Sequence, residues 1–321
     1  MIFEKKVVEL FTKKMLVRSD YNGAVYYFDH HSFPKLNARL YTFYGNRGQR
    51  LVGSFYYYGN MDMNRVVVFE HGMGAGHLAY MKEIELLARH GYTVLSYDHT
   101  GSGKSEGENI GGFSQSLADL DCLVKALNTD EQYHTMRISV IGHSWGAFST
   151  LNIAALHSDV SHVVALSGFV SVRAILEQFL PSLMKLYVPA ILEVERNANP
   201  EYANMNAIES LKTAKAKAMI IHSEDDKTVS FKRHFELMRE ALSDRADTHF
   251  LSFSDRGHNP NFTADAVKYK DEFFKDLTAK AKAGELVSKE AEAALRDSYD
   301  WDRMTEQDVA LWDKIFEFLD N

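Results

Sequence analysis

Gly142-His143-Ser144-Trp145-Gly146 reads G-x-S-x-G between residues 137–141 (RISVI), patterned as a strand, and residues 145–157, patterned as a helix. A sharp strand-to-helix turn needs small residues beside its apex, which gives both glycines a steric reason. It lifts the Ser144 hydroxyl above a sheet and sets a helix N-terminus beneath it, where developing negative charge is favoured. Without that context the same letters describe an ordinary glycine-rich turn. Serine is a weak nucleophile at neutral pH and needs a base within hydrogen-bond reach. Of 14 histidines, His258 has the position for it, in Asp255-Arg256-Gly257-His258-Asn259, after the last predicted strand and before a helix. The base in turn needs a carboxylate to fix its tautomer. Glu224, Asp225 and Asp226 follow the preceding strand. These positions all fall at C-terminal ends of predicted parallel strands, where open α/β sheets carry their sites.

Acyl transfer also needs N–H donors for the oxyanion of a tetrahedral intermediate. The backbone N–H of Trp145, just after the nucleophile, is one candidate. The second comes from the loop His71-Gly72-Met73-Gly74-Ala75-Gly76, where three glycines suit close approach of a backbone to a ligand. Met73 is the first choice there and Gly74 the alternative, with His71 read as a structural hydrogen-bonder. Ser144 would attack an ester carbonyl, and His258 would take the proton and return it to the leaving alcohol before water cleaves the acyl-enzyme.

Positioning these groups requires a mostly parallel sheet. Residues 40–44 and 50–58 read as a hairpin turning at 45–48. Strands are then predicted at 65–70, 92–97, 137–141, 162–166, 218–222 and 248–253, alternating with helices at 79–90, 116–128, 145–157 and 231–242. Such alternation implies an α/β fold with right-handed crossovers. Residues 171–212 break the rhythm with helices alone and read as an inserted cap. The core is then discontinuous, 1–170 and 213–321. Phe179, Met184 and Tyr187 are the cap residues chosen as substrate-pocket lining, against the alternative that they only pack the cap onto the sheet. Glu177, Glu193 and Glu195 could meet a substrate amine, although solvated surface charge is the plainer reading. Residues 279–296, rich in Ala, Lys and Glu and broken at Gly284, read as a solvated helical pair without chemistry. Residues 305–319 form a final amphipathic helix.

The 321 residues carry a formal charge of −8 and no basic stripe, which argues against nucleic-acid binding. No apolar run is long enough to span a bilayer, and the N-terminal stretch has no leader core. The lone Cys122 allows no intramolecular disulfide and fits a reducing, cytoplasmic setting. Gly101-Ser102-Gly103-Lys104-Ser105 is not a P-loop, because the first glycine of that motif would have to stand at Asp98. With no H-E-x-x-H and no cysteine cluster, nothing calls for a metal or another cofactor.

HGMGAG, DHTGSGKS, GHSWG, IIHSEDD and GH, in that order, resemble the α/β-hydrolase superfamily, in its capped branch of monoacylglycerol lipase-like and serine aminopeptidase-like enzymes. The similarity covers roughly residues 40–270. It implies an α/β-hydrolase fold and the chain order Ser, acid, His. It also places the acid three residues after a glycine whose position Ser223 occupies, which is Asp226, with Asp225 and Asp255 as second choices. Thr100 and Ala147 depart from the branch, where Arg and Gly are usual. The implied activity is serine hydrolysis of a small-molecule ester, of small acyl or monoacylglycerol type. A thioesterase or amide hydrolase is the alternative, and a non-catalytic ligand binder the third reading.

Overall fold

The structure, a computed structural model, describes residues 2–321, with side chains from residue 5 onward. Met1, at the head of the stretch read for a leader, lies outside them. Eight strands form one sheet: β1 (Leu36–Tyr44), β2 (Arg50–Tyr58), β3 (Arg65–Glu70), β4 (Thr93–Asp98), β5 (Arg137–His143), β6 (Val160–Leu166), β7 (Lys217–Ser223) and β8 (Thr248–Phe253). Their spatial order is β1-β2-β4-β3-β5-β6-β7-β8. The β1–β2 and β2–β4 pairings are antiparallel and all later ones parallel. β1 starts at Leu36, four residues before the predicted 40: Leu36, Ala38 and Leu40 alternate with Asn37 and Arg39, a period-two pattern that carries the strand back to residue 36.

The central strands are buried on both faces, and their side chains separate with period two. Val66, Val68, Val163, Ala165, Ala218 and Ile220 enter one apolar core, shared with α3 (Gln115–Thr129), α4 (Trp145–Leu156) and α8 (Phe235–Ala241). Val67, Phe69, Val164, Leu166, Met219 and Ile221 enter the other, shared with α2 (Met81–Arg89) and α12 (Val309–Asp320). α8 is shorter than expected, since residues 231–234 form turns ahead of it. Residues 171–213 hold α5 (Val172–Phe179), a 3₁₀ segment Ser182–Tyr187, α6 (Val188–Ala198) and α7 (Ala207–Thr213), with no strand. Ser171 and Asn206 cap α5 and α7 through their side-chain oxygens.

The two chain ends are part of the architecture. After α1 (Ile2–Met15), Arg18 donates to the carbonyls of Gly103, Ser105 and Gly107, and Ser19 exchanges backbone hydrogen bonds with the loop after β4. The following segment brings Ala24 into a third small core with Phe273, Leu295 and Met304. These come from α9 (Ala264–Ala283), α10 (Lys289–Asp297) and α11 (Trp301–Met304). Gly284 ends α9 in the left-handed conformation, φ 70°. The 279–296 region is mostly exposed, as a solvated pair would be, but Leu295 is buried in this third core.

Candidate functional site

Ser144 sits between β5 and α4 with φ 56° and ψ −112°, a conformation costly for any L-residue with a side chain. The turn is held by the Ser144 N–H donating to the Leu166 carbonyl, 2.8 Å. A Cβ at Gly142 would overlap the Thr150 side chain, and one at Gly146 the Glu70 carbonyl, so packing demands both glycines. The Ser144 hydroxyl lies 2.9 Å from His258 Nε2, and His258 Nδ1 lies 2.8 Å from Asp226 Oδ2. The spacing allows the imidazole to donate to the carboxylate and accept from the serine.

Asp226 is the carboxylate that reaches the imidazole. Its Oδ1 accepts from the N–H groups of Thr228 and Val229, and its Oδ2 also lies 3.2 Å from His222 Nε2. Burial opposes charge here, but the hydrogen bonds from His222, His258 and Val229 outweigh it and hold the carboxyl well below the ordinary carboxylate range. Asp225 instead accepts from Ser223 Oγ and the Gly257 N–H, fixing the loop that carries His258. Asp255 pairs with Arg256 at the surface.

His143 has a role the motif alone did not reveal. Its Nε2 donates to the His258 carbonyl at 2.6 Å, so Nδ1 accepts from Tyr80, 2.8 Å, whose hydroxyl takes the Gly72 N–H at 3.0 Å. Burial pushes the His143 pKa well down and keeps the ring neutral, as that arrangement requires. The glycine loop and the His258 backbone are thereby tied together through two side chains. His71 is wholly buried, with Nδ1 donating to the Gly72 carbonyl and Nε2 accepting from the His99 N–H. Its expected structural role matches these contacts.

A cavity of about 240 Å³ opens on Ser144 and His258, with Met73, Tyr80, Glu83, Phe262 and Lys270 in its wall. Trp145 follows as the first residue of α4, its indole donating to the Phe113 carbonyl. A second cavity, about 350 Å³, shares Gly72, Met73, Ala79, Tyr80, Glu83, Phe262 and Lys270 with the first, so the two adjoin. Its other walls include the rings of Tyr26, Tyr27 and Phe28 near one chain end and Phe274 and Trp301 near the other, with aliphatic side chains and Lys82 between them. The cap residues chosen from the sequence line neither cavity. Phe179 is exposed, Met184 packs against the main core, and Tyr187 is half-buried in the 3₁₀ segment. Glu195 is likewise no surface charge: it is buried and accepts from the Phe113 and Ser114 N–H groups and from Ser114 Oγ. Glu177 and Glu193 pair with Arg173 and Arg196.

Among the described residues no cluster of His, Cys, Asp or Glu has the geometry to hold a metal ion. No helix among them is long and apolar enough to cross a membrane. Acid should destabilise the fold. Asp98, Asp121 and Asp226 are held below the ordinary value by histidine and other partners that outweigh burial, Asp121 down to about 2. The unfolded chain therefore binds more protons as pH falls, and stability present above about pH 4 is lost below it. Melting temperatures from pH 7 to pH 3 should fall steeply under about pH 4, and a flat series would contradict these assignments.

Residues 62–207 match the family model of serine aminopeptidase, S33. The chain is 32% identical over 107 residues to a 2-hydroxy-6-oxo-6-(2'-aminophenyl)hexa-2,4-dienoic acid hydrolase of Metapseudomonas resinovorans, covering 32% of this chain and 34% of that one. It is 33% identical over 90 residues to a putative carbamate hydrolase of Agrobacterium fabrum, covering 27% and 32%. It thus spans about a third of the length of either relative. Among solved structures, an esterase from Pyrococcus furiosus superposes with a TM-score of 0.58 at 20% identity, over 84% of this chain and 96% of that one. Together with the sheet order, this likeness identifies the α/β-hydrolase fold.

Proposed function

This chain is an α/β hydrolase by fold, and from that premise we propose that it is a serine hydrolase cleaving carboxylic esters through an acyl-enzyme on Ser144. The observation that carries the reading is the unbroken series from the Ser144 hydroxyl through His258 to Asp226, with both links under 3 Å. His258 accepts the serine proton as Ser144 attacks, and Asp226 stabilises the imidazolium that results. The proton then passes to the leaving alcohol, and water, activated by the same imidazole, releases the acid. The N–H groups of Met73 and Trp145 receive the oxyanion. Support for this comes from Met73 lining the Ser144 cavity and from Trp145 opening the helix beneath the hydroxyl. Residues 171–212 act as a cap over the core, and the aromatic-walled chamber takes the apolar part of a small acyl or monoacylglycerol-like ester.

Hydrolysis of p-nitrophenyl esters from acetate to laurate tests the reading. Turnover that rises with chain length and disappears in Ser144→Ala supports it, and a folded protein without turnover on any ester overturns it. Because Trp301 and Phe28 wall the chamber, Trp301→Ala and Phe28→Ala should each lower the octanoate-to-acetate ratio of kcat/KM about tenfold. An unchanged ratio would place the acyl chain elsewhere. Amide cleavage is the second reading, favoured by the match of residues 62–207 to the serine aminopeptidase family model. Faster turnover of aminoacyl p-nitroanilides than of esters would select it.

A further inference from the structure

Lys270 is a cation placed where the proposed ester would bind. It extends from α9 into the wall common to both cavities, alongside residues that also surround Ser144 and His258. An ammonium has three donors. Among the described residues, Lys270 gives one to Asn259 Oδ1, at 2.9 Å, and rests 4.9 Å above the Phe262 ring. Among the described residues it forms no ion pair within 4 Å, whereas the neighbouring Lys82 is matched by Asp302. Glu83 shares this wall and acts on Lys270 through its charge, but it makes no close ion pair with it: the Glu83 side chain is buried and accepts from Asn261, and burial raises its pKa. Desolvation lowers the Lys270 pKa to about 8, which still leaves the amine mostly protonated at neutral pH. A cation with spare donors in a mainly apolar chamber is expensive unless an anion completes it.

Resting on the ester-hydrolase reading, we propose that Lys270 is a specificity-determining residue that receives a carboxylate of the substrate while the aromatic chamber holds its apolar part. The substrate class is then an ester bearing a free carboxylate and an aryl or alkyl group. Hydrolysis adds water across the C–O bond and leaves that carboxylate unchanged, so a product keeping it remains a ligand for the same lysine.

Binding tests this independently of turnover. Calorimetric titration with 3-phenylpropionate and its uncharged amide would be run on the wild type, Lys270→Met and Lys270→Arg, each checked by thermal melting. The wild type should bind the carboxylate at least about tenfold more tightly than the amide. Lys270→Met should abolish that preference and Lys270→Arg should restore much of it. Competition with an organophosphate for Ser144 locates the ligand, since only the carboxylate should slow labelling of the wild type. Equal affinity for the two ligands in the wild type, or a preference that survives Lys270→Met, overturns the proposal. If no ester is hydrolysed, the ester reading fails by itself, and the binding comparison still decides on Lys270.

Discussion

Ser144→Ala is expected to lower kcat/KM for p-nitrophenyl butyrate by about 10⁴-fold or more, with KM changing far less than kcat. The substitution removes the attacking atom and one hydrogen bond, that to His258 Nε2, and leaves the N–H groups proposed for the oxyanion in place. What remains is the modest acceleration that binding and oxyanion stabilisation give to direct attack by water. The backbone at residue 144 keeps its positive φ with either side chain, so the melting temperature should stay close to that of the wild type. Steady-state kinetics with active-site titration, beside a thermal melt, provides the check. Retained turnover would move the nucleophile away from Ser144.

Asp226→Asn should cost about 10⁴-fold in kcat at neutral pH. Asn Oδ1 can still accept from Thr228 and Val229, so the loop keeps its shape. The amide NH₂, however, would face His258 Nδ1 as a donor and force the proton onto Nε2, which faces Ser144. The imidazole then has no lone pair for the serine proton. Asp225→Asn is the matched control, since Asp225 fixes only the neighbouring Ser223 hydroxyl and Gly257 N–H, and its cost should remain under about tenfold. Equal losses in the two variants would contradict the assignment of Asp226 as the partner of the base.

The contrast between these two neighbours shows how far the sequence was legible. Strand–helix alternation and the G-x-S-x-G junction located β5, α4 and Ser144 because the buried central strands are short apolar runs, Ile138, Val140 and Ile141 in β5, that stop at the glycine turn. His258 followed from its place after the last strand. Choosing Asp226 over Asp225 needed the resemblance, since two adjacent carboxylates have the same local signal and only the fold of the 223–229 turn decides which one points inward. His143 was hidden for a related reason: its partners, Tyr80 and the His258 carbonyl, are distant in the chain.

The aromatic walls of the chamber were not legible, although its glycine-loop wall was. Tyr26 and Phe28 lie in a segment without helix or strand periodicity, and Trp301 stands more than 250 residues away. Nothing local announces that they meet. Phe179, Met184 and Tyr187 looked better because they stand in an apolar helical stretch, yet at helical spacing apolar residues mostly serve packing, as Met184 does. The signal available for the chamber walls was the density of aromatic residues in an irregular stretch, an arrangement that has to be buried against something.

The account rests most directly on Ser144 being the atom that becomes acylated. Incubation with a diethyl aryl phosphate, followed by intact-mass measurement and peptide mapping, reads this without knowledge of the natural substrate. The expected result is a single phosphoryl adduct on Ser144, absent in Ser144→Ala and strongly slowed in His258→Ala. An intact protein that gains no adduct, or gains it on another residue, would contradict the account.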